Sequence, residues 1–173
     1  MLIRLAMRLI LFSVVIAFLV FSCASEKLKE TNRHSDYHNV GIDPSTLPQQ
    51  SKVYLPIYSD IYYMDAHHTF SLTATLSIRN VSLNDSIYVL SVDYYNSGGK
   101  KVRTFNESTL LIKPMESIEF VVENKDDSGG VGANFVIKWG SKTGARPPYI
   151  QGIMIGTSGQ QGISFTTEAI EIQ

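Results

Sequence analysis

A single cysteine, Cys23, occurs in 173 residues, so no disulfide within the chain can staple the fold. Charge is scarce as well: 18% of residues carry one, and acids and bases nearly cancel to a formal −1. Such a surface has no basic field to attract nucleic acid, and a hydrophobic content of 44% excludes a disordered tail. Past Phe21 no ten-residue stretch places apolar side chains at i, i+3, i+4 and i+7, which argues against a helical body. The length argues against a two-domain enzyme and for one domain with appendages. What is abundant is 12 Gly, 19 Ser and 11 Thr, residues that make turns or are tolerated in strands.

Arg4 and Arg8 precede the apolar run from Leu9 to Phe21, the basic and hydrophobic regions of a signal sequence. As a helix the run would reach roughly 20 Å, short of the roughly 30 Å hydrocarbon core of a bilayer. It ends in Val20-Phe21-Ser22-Cys23, which resembles the lipobox of bacterial lipoproteins: an aliphatic at −3, a small residue at −1 and the acylated Cys, here with a bulky Phe21 at −2. The resemblance implies a signal peptide over 1–22 and a lipid on the Cys23 thiol. An ordinary cleaved signal and an uncleaved anchor are the alternatives. Two or three acyl chains would hold firmly, at about 0.8 kcal/mol per buried CH₂. Ala24 and Ser25 follow in place of the Asp of inner-membrane retention, which implies the outer membrane, facing the periplasm. Losing 1–22 removes two arginines and no acid, leaving 13 Lys and Arg against 16 Asp and Glu, a formal −3. A mildly acidic body is not drawn to anionic lipid.

Residues 23–51 carry few large apolar side chains and no period, and are expected to form a flexible polar linker. From Lys52 the pattern changes. Phe70, Leu72, Ala74, Leu76 and Ile78 alternate with Ser71, Thr73, Thr75, Ser77 and Arg79, as in a strand with one dry and one wet face. Ile87–Tyr95 offers Tyr88, Leu90, Val92 and Tyr94 to a core, and Asn96-Ser97-Gly98-Gly99 turns it into Lys101–Phe105. Further strands are expected at 110–112, 117–123, 134–140, 149–157, 163–165 and 170–172. The expectation for 52–173 is an all-β, immunoglobulin-like sandwich of eight or nine short strands, with a small barrel as the competing closure. Pro56 cannot donate to a ladder, which makes Val53–Tyr58 an expected edge strand. Its Tyr54 and Tyr58 share one side and form a candidate aromatic face for a partner, or else rings that pack under the loop from Ser59 to Thr69.

No catalytic constellation is legible. The domain's two histidines, His67 and His68, are adjacent in a loop, and on an extended chain neighbours point to opposite sides. Neither a nucleophile elbow nor a phosphate cradle occurs, so the chain is not expected to be an enzyme, and no cofactor or metal is expected. The segment 123–134 gathers Asp126, Asp127, Ser128 and Asn134 among glycines, oxygen donors of the kind Ca²⁺ takes, but without EF-hand spacing. The simpler expectation is a shaped loop in which Asp and Ser cap backbone amides. Gln160 and Gln161 mark a second polar loop, and the two would make a recognition surface if they lie at one end of the frame. Three N-x-Ser sequons occur, at Asn80, Asn84 and Asn106, where this composition gives one or two by chance, so they decide nothing.

Val53-Tyr-Leu-Pro-Ile-Tyr-Ser59, Leu72–Asn80, Ser91–Tyr95, Asp127–Phe135, Met154–Thr157 and Gln160–Phe165 together resemble a family of small bacterial lipoproteins of unknown function, over nearly the whole domain. A strand ending in Asn80, a Tyr-Tyr strand turning at Gly-Lys, and a Leu-x-x-Pro-x-Glu-Ser segment before a Phe-Val strand also resemble immunoglobulin-like extracytoplasmic domains. Neither resemblance implies an activity. The expected function is a non-catalytic binding or assembly module in the bacterial cell envelope, held to a membrane by its lipid, with an envelope protein as partner. The alternative is a ligand- or calcium-binding, or weakly enzymatic, domain using the 123–134 loop.

Overall fold

The computed structural model describes residues 37–158 and 160–172, and Cys23 and the signal segment lie outside them. The strands are β1 (His38–Val40), β2 (Gln49–Pro56), β3 (Asp60–Tyr62), β4 (Thr69–Ser71), β5 (Thr73–Arg79), β6 (Ile87–Tyr95) and β7 (Lys101–Thr104). They continue with β8 (Thr109–Ile112), β9 (Ser117–Val122), β10 (Asn134–Ser141), β11 (Tyr149–Ser158), β12 (Gln161–Glu168) and β13 (Ile170–Ile172). One sheet runs β1-β8-β6-β10-β2-β13, with β7 also beside β6; a second runs β12-β11-β5-β9; β3 and β4 form a separate hairpin. All pairings are antiparallel. Both large sheets stay open, so the architecture is a β-sandwich and not a barrel.

The alternation read in β5 builds the second sheet's inner face. Leu72, Ala74, Leu76 and Ile78 are fully buried, as are Val122 and Met154 on neighbouring strands. From the first sheet Leu55, Val92, Tyr94, Phe135 and Ile137 meet them, with Trp139 at 2% exposure. Each large side chain so buried contributes about 1.5–3 kcal/mol, which is how a body without disulfides holds together. At Leu72 the run splits: Leu72 N–H donates to the Ser59 carbonyl at 2.8 Å, β4 pairs with β3, and β5 pairs with β9 and β11.

Two expectations about inward faces and edges are corrected. In β6 the buried residues of the first half are Ile87 and Val89, and Tyr88 and Leu90 are only half-buried. The cause is a bulge: β10 pairs Lys138 with Ser91 but Trp139 with Val89, so Leu90 is skipped and the side-chain parity flips. Nor is β2 an edge. It lies between β10 and β13, but β13 pairs only with Lys52, Val53 and Tyr54. Pro56 therefore sits beyond β13, where no donor is needed, and its carbonyl accepts from the Thr167 hydroxyl at 2.6 Å.

The linker boundary at Ser51 is corrected too. β1 pairs with β8, Pro44–Thr46 forms a 3-10 turn capped by Asp43, and Leu47 is 3% exposed. Tyr37 reaches across to the second sheet: its ring meets Phe120 edge-on, and its hydroxyl both donates to the Glu119 carbonyl and accepts from the Glu119 N–H at 2.9 Å. Isolated apolar side chains in a polar stretch carry no period, which is why composition alone hides such straps.

Candidate functional site

β9 ends at Val122 and β10 begins at Asn134, opposite Pro56 of β2 and Tyr95 of β6. The connections 57–72, 96–100 and 123–133 therefore share one end of the sandwich. The β11–β12 turn joins them there, because Ile155 of β11 lies opposite Thr73, where β5 begins. The two polar loops singled out in the sequence thus occupy the same end.

Beneath its surface this end is tightly bonded. The Ser97 N–H and hydroxyl donate to the Gly129 carbonyl at 2.9 and 3.0 Å, and the Ser97 hydroxyl accepts from Gly132 N–H at 2.8 Å. Ser59 donates to the Gly130 carbonyl at 3.0 Å, and Ile57 N–H to the Ala133 carbonyl at 3.0 Å. Gly129 is obligatory: a Cβ there would lie 1.8 Å from the Tyr94 hydroxyl oxygen. Gly130, at φ +79°, takes a left-handed conformation that suits glycine. Burial pushes the Tyr94 phenol above its ordinary pKa.

The acids of the 123–134 segment do not converge. Asp126 accepts from the Ser128 N–H at 3.1 Å and from its hydroxyl, and pairs with the Arg103 guanidinium at 2.6 Å. Burial raises its pKa, but those hydrogen bonds and the Arg103 charge outweigh it and hold the carboxyl below the usual range. Arg103 in turn lies over Phe105 and Tyr94, 4.7 and 5.3 Å from the ring centres. Asp127 is exposed, and Asn134 is half-buried within β10. Among the described residues no group of three or more His, Cys, Asp or Glu is placed to hold a metal. The loop is shaped by caps, as its residue types allow, and its one partly buried carboxylate is already engaged.

Tyr54 and Tyr58 do not form a free aromatic face. Tyr58 packs edge-on against Phe165 at 5.7 Å, and half-buried Tyr54 sits between Val136 and Ile170 in the outer ladder. The exposed aromatics lie a few residues on, in the β3–β4 hairpin, where Tyr62 and Tyr63 are 62% and 58% exposed and Met64 88%. Beside it is a cleft of about 230 Å³ lined by Ile61, Tyr63, Phe70, Gln161, Gly162 and Ile163. The sequence expectation for 59–69 was a covering loop, and the signal that it projects was present in Tyr62-Tyr63-Met64, three large apolar residues in a row. The hairpin tip is fixed by Asp65, which accepts from the N–H groups of His67 and His68 at 2.8 and 3.0 Å and contacts His68 Nδ1 at 2.8 Å. The hydrogen bond to the His68 ring, then that to the His67 amide, lowers the Asp65 pKa. The two histidines are thus part of a turn. Gln161 lines the cleft and Gln160 is exposed beside it.

Residues 50–172 match the family described as protein of unknown function, DUF3124. The chain belongs to the DUF3124 family. The match spans β2 to β13, which is the sandwich without β1 and its preceding strap. No curated protein matches the DUF3124 chain. The crystal structure of Thermotoga maritima 1070 is similar at a TM-score of 0.40 and 15% identity, covering 72% of this chain and 96% of that one.

Proposed function

We propose that this DUF3124 protein is a non-catalytic binding or assembly module of the bacterial cell envelope, tethered by lipid on Cys23 at the outer membrane and facing the periplasm. The observation that carries the binding role is the projecting Tyr62-Tyr63-Met64 tip beside the Ile61, Tyr63, Phe70 and Ile163 cleft. Rigid aromatics beside a shallow apolar recess give large contact area at small entropic cost, which is what partner surfaces use. The partner is an envelope protein rather than nucleic acid, since the body is mildly acidic. The anchor is supported by Arg4, Arg8, the apolar run and the position of the sole cysteine at its end.

Both halves are tested in one strain set. Cys23→Ser moves the protein from the membrane to the soluble fraction; retention would mean that a helix, not a lipid, holds it. A photoreactive amino acid in place of Tyr63 gives a discrete crosslinked envelope protein, lost when Phe70 or Ile163 is changed to Ser. Absence of any adduct, together with measurable turnover of an envelope substrate, overturns the binding role. Tyr63→Ser itself leaves the melting temperature nearly unchanged, with an effect within about 0.5 kcal/mol, as for an exposed residue.

A further inference from the structure

The open edges of the two large sheets are not treated alike. β1 and β13 are three residues long, too short to template much pairing, and β7 is four residues carrying Lys101 and Arg103. The β9 edge is closed by a side chain, because the Tyr37 hydroxyl occupies both the N–H and the carbonyl of Glu119. β12 has none of these devices. It is eight residues long, Gln161-Gly-Ile-Ser-Phe-Thr-Thr-Glu168, without Pro, Lys or Arg, and its register with β11 runs unbroken from Gln161 to Glu168.

Which backbone groups it leaves open follows from the ladder. Ala169 N–H donates to the Ile150 carbonyl at 3.1 Å, in the same register as the β11–β12 pairs. Bonded and non-bonded pairs alternate in an antiparallel ladder, so the odd-numbered residues of β12 bond to β11. Gly162, Ser164, Thr166 and Glu168 then direct their amides and carbonyls outward, and among the described residues β12 pairs with no strand but β11.

We infer that β12 is a homodimerisation edge, on which the β12 strand of a second copy adds antiparallel about a two-fold axis at Phe165, joining two four-stranded sheets into one of eight strands. The sequence of the edge favours its own copy. In that register Ser164 faces Thr166 of the second copy, Gly162 faces Glu168, and Phe165 faces Phe165. Hydroxyl and aromatic cross-strand pairs are favourable, and the strand's single charge meets a glycine rather than a like charge. The four outward residues of each copy supply roughly eight backbone hydrogen bonds across the axis. A long, unbulged, nearly uncharged edge is the surface to which strands add. The inference does not rest on the partner proposed above, although Gln161, Gly162 and Ile163 at the start of β12 also line that partner's cleft, so the two occupants would meet at this end of the strand.

Sedimentation velocity of the purified full chain in density-matched detergent tests it. The expected result is twice the protomer mass across micromolar concentrations. Thr166→Pro removes an outward amide and leaves the β11 ladder intact, so it gives the protomer mass with an unchanged β-rich circular dichroism spectrum and melting profile. Should that variant fold poorly, Ser164→Lys, which sets like charges near the axis, serves in its place. A wild-type chain that stays at protomer mass overturns the inference, including the case in which a strand from a different protein takes the edge. So does a dimer that survives both substitutions with its fold intact.

Discussion

The two ends of the sandwich use their polar groups in opposite ways. At the end where β5 leads into β6, one buried side chain serves everything around it: Asn80 Nδ2 donates to the carbonyls of Asp85, Lys113 and Ile112 at 2.7, 3.0 and 3.2 Å, and its Oδ1 accepts from Ser82 N–H at 3.0 Å. At the loop end Ser59, Ser97 and the glycines bond to one another underneath, but the buried Tyr94 hydroxyl beside Gly129 finds no hydrogen-bond partner among the described residues, and the β3–β4 hairpin stands out with its aromatics bare. Both ends leave apolar side chains in solvent, Leu83 and Met115 singly at the Asn80 end and Tyr62, Tyr63 and Met64 as one unbroken run at the other, and it is the contiguous run that marks an interaction surface.

Three perturbations sharpen that contrast. The largest effect is expected where the loop end is fixed rather than where it is exposed. Gly129→Ala forces a Cβ into the Tyr94 hydroxyl and costs about 3 kcal/mol, read as a fall in thermal midpoint and as release of the 123–133 segment to proteolysis. Next comes Asn80→Ala, at about 2–3 kcal/mol, since it orphans buried backbone groups at the opposite end. Hydrogen exchange should then speed up at 80–86 and 112–116 and leave the hairpin protected as before. If it loosens both ends equally, the ends are not separate units.

The smallest effect is that of acid. Burial raises the pKa of Asp93, but hydrogen bonds from Lys101 and Thr104 and the Lys101 charge lower it further, leaving it below the ordinary value. A carboxyl depressed in the folded state adds stability above its unfolded pKa of about 3.9, and that stability is lost as pH falls through the folded value. Asp126, depressed as well, acts in the same sense. Melting curves of wild type and Asp93→Asn should differ at pH 6 and draw together as the pH falls through the depressed folded-state value. A constant gap across that range would mean that the Asp93 charge contributes nothing.

The strand plan was legible wherever the period was clean. β5, β9 and β10 fall where the alternation puts them, because a two-residue period with one apolar face admits little else. The inward face of β6 was not legible, since a single skipped residue at Leu90 reverses parity and leaves no mark in composition. β1 and the Tyr37 contact were hidden for a different reason: they belong to the fold through pairing with β8 and β9, distant in sequence. Of the candidate residues, the caps of the 123–134 loop could be read from residue type. The fate of Tyr58 depended on Phe165, more than a hundred positions away. Two of the three sequons gain a physical explanation, for Asn80 and Asn106 spend their amides on neighbouring backbone groups.

The clasp at Tyr37 also bears on mechanics. Tension arriving from the N-terminal side reaches the sandwich first at β1 and at this phenol on Glu119, before it loads any of the long ladders. A three-residue strand yields at low force, so the outermost strap would peel away while β2 and the strands beyond stay zipped. It would then act as a mechanical fuse, adding a short length of slack and uncovering the β9 border only under strain.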